Sequence, residues 1–152
     1  MKTTVLWLLL LLVLLEAGCK SSSESAGEAH SSRLASVVIK GHSAAEVTLA
    51  AQQVFIENGY EKGPVKTGGL VFEKRGSGMN TLVYGDWSGK PVWFRVKVYL
   101  RQVGAPNTVL FDCDAFRVLE RGDPHFEEEH KLTKLHRGTY QELLDKVSHR
   151  LQ

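Results

Sequence analysis

The chain has 152 residues, of which 43% are hydrophobic and 24% are charged, and its formal net charge is +2 at pH 7. That length supports one domain with a single core, and the ordinary composition argues against a wholly disordered chain. A charge this close to neutral gives no reason to expect nucleic acid as a partner.

The first 20 residues, MKTTVLWLLLLLVLLEAGCK, have the layout of an export signal. Lys2 provides a basic head, Val5 to Leu15 form an apolar run, and the small residues Ala17 and Gly18 precede Cys19. The apolar run is about 11 residues long, which fits the core of a signal peptide. A helix that spans a membrane would need about 20.

This segment resembles the lipobox signal of bacterial lipoproteins. In that family a peptidase cleaves just before the cysteine, whose sulfur then carries lipid. The resemblance implies that Cys19 is lipidated and that the protein is exported and anchored to a bacterial membrane, without distinguishing the inner from the outer one. The chain departs from the family pattern at Glu16, where a lipobox usually has an apolar residue. The alternatives are a secreted soluble protein, cleaved near Ala17 or Gly18, and a retained anchor helix.

We expect three parts along the chain. Residues 1–18 form the signal peptide, residues 19–32 form the lipidated cysteine and a flexible Ser-rich tether, and residues 33–152 form the folded domain. If Cys19 carries lipid, Cys113 has no disulfide partner within the chain. The fold must then depend on its hydrophobic core.

The folded part begins with a predicted strand and a predicted helix. The β-branched run Ala35 to Lys40 is typical of a strand. Ser43 to Glu46 matches a capping box, in which the two side chains bind free backbone N–H groups at the start of a helix. Gly59 suits the left-handed residue that ends a helix, and Tyr60 is then placed to fold back onto Phe55.

Strands are predicted over residues 69–74, 80–84, 92–102 and 108–119, and the last two are joined by a turn at residues 104–107. If Val103 pairs with Thr108, the register of this hairpin follows and separates the side chains into two faces. The apolar side pairs Val96 with Ala115, Val98 with Cys113 and Leu100 with Phe111, and the polar side pairs Lys97 with Asp114, Tyr99 with Asp112 and Arg101 with Leu110.

Residues 126–137 are compatible with either a loop or a short helix. Thr139 to Glu142 matches a second capping box, which predicts a final helix with an apolar stripe. The order of elements is therefore β-α-β-β-β-β-α. We expect a single α+β domain, in which two amphipathic helices pack on one face of an antiparallel sheet of about four to five strands. In its order of elements this layout resembles the helix-grip folds.

The sequence offers no assembly of catalytic, cofactor-binding or metal-binding residues, so we expect a protein that is not an enzyme and has no cofactor or metal. Cys113 falls on the apolar side of the hairpin and is interpreted as a buried structural residue. The cluster from His125 to His130 matches no zinc spacing and is interpreted as a solvated loop. Gly76 to Gly78 lack the Lys-Ser or Lys-Thr of a phosphate loop.

The candidate binding surface is a row in which basic and aromatic side chains alternate on the polar side of one strand. Its members are Trp93, Arg95, Lys97, Tyr99 and Arg101. Such a row suits an anionic lipid, a glycan polymer or an acidic patch on an envelope protein. The alternative is that Asp112 and Asp114 on the neighbouring strand pair with Lys97 and Arg95. Trp87, in the turn at residues 85–89, either lies in an interface or folds back over the core.

Two functions follow from these features. The first is a lipid-anchored cell-envelope protein with a non-catalytic domain that binds another protein or an envelope polymer. The alternative is an envelope carrier or sensor that holds a small apolar ligand between helix and sheet. A concave apolar space of about 300 Å³ or more would favour the carrier, whereas a filled core with exposed Trp87 and Trp93 would favour the partner interface.

Overall fold

The computed structural model describes residues 32–64, 69–79 and 90–152. The expected signal peptide, nearly all of the tether, the strand over residues 80–84 and the turn that contains Trp87 lie outside the described residues.

Two helices and six strands follow one another in the described part of the chain. They are β1 (Ala35–Lys40), α1 (Ala44–Glu57), β2 (Glu61–Lys62), β3 (Leu70–Arg75), β4 (Trp93–Gln102), β5 (Thr108–Leu119), β6 (Glu128–Lys131), a 3-10 turn (Lys134–His136) and α2 (Arg137–Arg150).

The strands form one antiparallel sheet in the order β1-β5-β4-β3-β2, with β6 paired to β5. β1 and β6 occupy successive stretches of the same edge of β5, because β1 pairs with residues 108–113 and β6 pairs with residues 116–119. The predicted class, a single α+β domain with two helices on an antiparallel sheet, is confirmed. The two-residue β2 and the short β6 were not expected.

The register predicted for the long hairpin is correct. Val98 faces Cys113, Lys97 faces Asp114, and all the other predicted pairs are present. The loop closes as expected, since the Val103 N–H donates a hydrogen bond of 2.9 Å to the Thr108 carbonyl oxygen. This register fixes which side chains of β4 and β5 share a face.

Helix α1 begins and ends as the sequence indicates. The Ser43 side chain accepts a hydrogen bond from the Glu46 N–H, and the Glu46 carboxylate accepts one of 2.8 Å from the Ser43 N–H. Gly59 has a φ of 81°, and the Tyr60 ring lies 5.3 Å from the Phe55 ring in an edge-to-face contact. Both the capping box and the left-handed end are confirmed.

The second predicted capping box is wrong. Helix α2 begins at Arg137, directly after the 3-10 turn, and its N-cap residue His136 makes no side-chain capping hydrogen bond. Because the turn already leads the backbone into the helix, Thr139 lies inside the first turn and cannot act as a cap. Residues 126–137, left open between loop and helix, contain β6 and this 3-10 turn.

The core lies between the two helices and one face of the sheet, which we call the helix face. Strand β4 contributes Val96 and Val98 to this face, and helix α2 contributes Leu144 and Val147. The opposite face carries most of the buried charge, and we call it the charged face. Its fully or nearly fully buried polar residues are Glu73, Arg95, Asp112 and Asp114.

Candidate ligand-binding cleft and the charged face

The row predicted along β4 lies on the charged face. Trp93, Arg95, Lys97, Tyr99 and Arg101 alternate in the register with the core residues of the helix face. The remaining member of the predicted binding surface, Trp87, lies outside the described residues. The structure thus brings five of the predicted residues onto one face of one strand.

Arg95 is not an exposed member of that row, which corrects the expectation of an outward basic side chain. Only 2% of the residue is exposed. Its guanidinium donates hydrogen bonds to the carboxylates of Glu73, Glu127 and Glu129, and the distance from Nη1 to Glu127 Oε1 is 2.8 Å. The aspartates of β5 that were expected to pair with Arg95 are bound by other cations instead. The longer side chains of glutamates on β3 and in the segment before and within β6 reach Arg95.

The other members of the row also have partners on the charged face. Lys97 donates to Glu129, and its ammonium lies 4.4 Å from the centre of the Phe116 ring. The Arg33 guanidinium stacks 3.4 Å above the Tyr99 ring, and the Arg121 guanidinium lies 3.9 Å from the Trp93 ring. The two aromatic rings of the row are therefore covered by arginines of the same chain.

Ion pairs connect nearly the whole charged face. The Arg33 side chain approaches Asp112 at 3.0 Å and Asp114 at 2.9 Å, and Lys131 approaches Asp114 at 2.9 Å. The cations in this network are Arg33, Arg95, Lys97, Arg101, Arg121 and Lys131, and the carboxylates are Glu61, Glu73, Asp112, Asp114, Glu127 and Glu129. Opposite charges thus neutralise one another within this face.

The pKa values of two carboxyl groups reflect this pairing. Burial by itself raises the pKa of Asp114 and of Glu129, because it disfavours the charged form. Hydrogen bonds from Lys131 and Arg33 to Asp114, and from Lys97 and Arg95 to Glu129, outweigh burial and hold both pKa values below their ordinary range.

A second concave region lies on the helix face, beyond the end of the packed core. Its floor is a row that crosses four strands at the same register position: Lys74 on β3, Phe94 on β4, Arg117 on β5 and His130 on β6. The next row toward the core, with Phe72, Val96 and Ala115, is fully buried under the helices. The floor row is thus where the helix cover ends.

Side chains from the ends of both helices form the walls of this cleft. Tyr60 follows α1, Tyr140 and Thr139 lie in the first turn of α2, and Leu132 and His136 lie between β6 and α2. The cleft has a volume of about 640 Å³. That is within the range of pockets that bind small molecules.

The cleft combines apolar walls with basic groups. Among the described residues that line it there is no carboxylate. The Lys74 ammonium donates a hydrogen bond of 2.8 Å to the Asn58 carbonyl oxygen and lies 5.4 Å from the Tyr60 ring. His130 Nε2 lies 3.1 Å from a carboxylate oxygen of Glu128. The described lining is therefore rich in basic and aromatic side chains, and two of its basic residues, His130 and Lys131, have carboxylate partners in Glu128 and Asp114.

Two further polar groups of the cleft lining belong to His136 and Tyr60. His136 Nδ1 is a buried nitrogen with no hydrogen-bond partner in the described part of the chain. Burial raises the pKa of Tyr60 to about 12, with a smaller contribution from Cys113, so the Tyr60 hydroxyl keeps its proton near neutral pH. It can act as a neutral hydrogen-bond donor.

Sequence reasoning missed this cleft, although one signal was available. The predicted hairpin register stops at Val96 and Ala115, and one further step of two residues places Phe94 opposite Arg117 on the apolar side. A cation at a position where the pattern predicts a core residue marks the point at which the core gives way to solvent or to a ligand. Tyr60 and Tyr140 were interpreted only as parts of helix ends and stripes.

The remaining candidates hold structural positions. Cys113 is fully buried, and burial, together with the neighbouring Asp114 and Asp112, raises the pKa of its thiol to about 12. In the cluster near β6, Glu127 and Glu129 bind Arg95, so this segment is less solvated than predicted. No group of three or more potential metal ligands occurs within residues 32–64, 69–79 and 90–152.

Comparisons of the chain with protein-family models, with curated proteins and with solved structures find no match. Within the described residues, none of the helices has the length and apolar character needed to cross a membrane.

Proposed function

We propose that this protein is a lipid-anchored cell-envelope protein whose domain binds a small molecule in the cleft between the sheet and the helices, as a carrier or sensor. The observation that supports this function best is the cleft itself. At about 640 Å³ it exceeds the size that would favour a ligand carrier over a filled core. Its location, between helix ends and sheet, is the one expected for such a carrier.

The charged face supports the competing function, binding of a protein or polymer partner, less well. Arg95, Lys97 and Arg101 each have a carboxylate partner within the chain. A polyanionic partner would have to displace those carboxylates, and the buried ones would then lose their counter-ions at a high cost in free energy. The cleft requires no such exchange.

We propose binding rather than catalysis because the described lining of the cleft contains no carboxylate, and Glu128, which lies 3.1 Å from His130 Nε2, is an exposed residue outside that lining. The buried Cys113 thiol is also unsuited to nucleophilic attack, because its raised pKa keeps it protonated.

The anchor rests on Cys19 and on the resemblance of the first 20 residues to a lipobox. Each buried methylene contributes about 0.8 kcal/mol to membrane binding, so two or more acyl chains make attachment lasting. Intact mass spectrometry of the protein from its native envelope tests this part. The expected mature form begins at Cys19 and carries added lipid mass, whereas a form that begins there without lipid would contradict the anchor.

The cleft is tested with N-phenylnaphthylamine, a neutral fluorescent probe whose emission rises in apolar surroundings. We expect saturable binding of one probe per chain. Thr139→Trp places a large side chain at the cleft wall and should abolish the signal, while Glu142→Trp, on the same helix and exposed outside the cleft, should leave it unchanged. Equal binding to both variants, or no binding to the unmodified chain, would contradict the proposed function.

A further inference from the structure

We infer that the small molecule bound in the cleft is an amphipathic anion, with its acidic group held between Lys74 and Arg117 and its apolar body on Phe94. The inference rests on the proposed function, because it specifies the ligand of the same cleft. It follows from three features of the cleft: the order of residues across its floor, the chemistry of its walls and the distribution of charge around it.

The order of residues across the floor gives the anion its position. Lys74, Phe94 and Arg117 stand side by side on adjacent strands of the helix face. Neighbouring strands are about 4.8 Å apart, so the backbones that carry the two cations are roughly 10 Å apart with the Phe94 ring between them. Lysine and arginine side chains are long enough to converge on one acidic group across that distance.

The walls give the apolar body its surroundings. Tyr60 and Tyr140 present mostly buried aromatic rings to the cleft, and Leu132, which also lines it, packs against the core. An aromatic or aliphatic body above Phe94 would be in contact with these side chains and would be removed from water. A small inorganic anion would leave that apolar space unfilled.

The charges around the cleft indicate that the ligand is an anion. Lys74, His130 and His136 line the same cleft as Arg117, and within the described lining there is no carboxylate to attract a cation. The Lys74 ammonium is held by a neutral carbonyl oxygen and an aromatic ring, so an acidic ligand can take up one of its remaining donors without breaking an ion pair. A carboxylate, sulfonate or phosphate on an apolar body meets all three conditions.

A matched pair of probes separates the charge of the ligand from its apolar body. Anilinonaphthalene sulfonate has the ring system of N-phenylnaphthylamine and adds one sulfonate. Both are titrated into the full chain at the same low ionic strength, and the ratio of the two Kd values measures the preference for the anion. We expect the sulfonate to bind about tenfold more tightly, which corresponds to one charge-assisted hydrogen bond.

Three variants test which residues create that preference. Lys74→Gln and Arg117→Gln should each lower the Kd ratio toward one by weakening the sulfonate and sparing the neutral probe. Arg101→Gln removes a cation from the exposed end of β4 on the opposite face and should leave the ratio unchanged. Lys74 is solvent-exposed, so Lys74→Gln keeps the test valid if Arg117→Gln does not fold.

The outcomes distinguish this inference from the proposed function. Tight binding of the neutral probe with no preference for the sulfonate would overturn the inference that the ligand is an anion. The proposal that the cleft binds a small molecule would be unaffected. Absence of binding by either probe would overturn both. A sulfonate preference that survives in both cleft variants and falls in Arg101→Gln would place the anion on the charged face and would overturn the inference.

Discussion

Replacing Arg95 by methionine removes the cation on which three carboxylates of the charged face converge. Methionine fills a similar volume without charge. Glu73, which is fully buried, then retains Arg121, whose Nε lies 2.7 Å from Glu73 Oε2. Burial alone would lower the pKa of Arg95, but its hydrogen bonds to Glu127, Glu129 and Glu73 raise it above the ordinary value. The residue is therefore charged at any pH of the assay.

The expected loss follows from the burial of both partners. Removing one member of a buried ion pair costs about 3–5 kcal/mol, because the charge left behind has lost its water as well as its partner. Arg101→Met is the matched control, since Arg101 lies on the same strand and the same face but its side chain is 60% exposed and 3.6 Å from its nearest carboxylate. Arg101 is exposed, and its buried partner Asp112 keeps Arg33 at 3.0 Å, so the loss of Arg101 is expected to cost about 0–1 kcal/mol.

Urea unfolding followed by far-ultraviolet circular dichroism gives the free energy of unfolding of both variants. A double variant separates charge from packing. Adding Glu73→Gln to Arg95→Met should recover part of the lost stability, because the remaining buried charge is removed. A loss in Arg95→Met no larger than that in Arg101→Met would refute the reasoning, and a double variant with no recovery would attribute the loss to packing instead.

Three further predictions follow from the same structure. Ser43→Ala should lower the free energy of unfolding by about 1 kcal/mol, because the helix cap is lost. Thr139→Ala should be neutral or slightly stabilising, because Thr139 lies inside α2. Urea unfolding compares the two variants, and an equal loss of stability would contradict the assigned helix starts. Cys113 should react with a thiol reagent only after unfolding, since it is buried with a raised pKa; rapid labelling of the native protein would count against its position in the core. The folded pKa of Glu129 is lowered below 4.5, so the stability it provides is complete above that value and is lost as the pH falls through the folded pKa. Glu129→Gln should therefore flatten the decline in stability between about pH 5 and pH 3. An unchanged slope would mean that Glu129 does not contribute to the pH dependence of stability.

The sequence was sufficient to predict several elements from local or periodic signals, although the local signal at Thr139 misplaced the start of α2. The capping box at Ser43 and the left-handed Gly59 are local rules, and both are present. The hairpin register followed from a short loop and from apolar and polar alternation over about ten residues, which only one pairing satisfies. These features do not depend on which distant part of the chain packs against them.

The features that the sequence did not predict depend on tertiary contacts. The run Glu128–Lys131 has no apolar alternation, and it forms β6 where the edge of β5 continues past the end of β1. Arg95 looks like a surface residue in an alternating strand, and it is buried because glutamates from β3 and from the segment at the start of β6 reach it. The cleft could not be predicted without knowing where the helices stop covering the sheet, and Arg117 was the only sign of it in the sequence.

The most direct test of the account is to map the bound probe on the full chain by amide and side-chain NMR during titration with anilinonaphthalene sulfonate. We expect the largest shift changes on the helix face, at Lys74, Phe94, Arg117 and Tyr140. Changes confined to the charged face around Lys97 and Tyr99, with the cleft residues unmoved, would contradict the assignment of the cleft as the binding site.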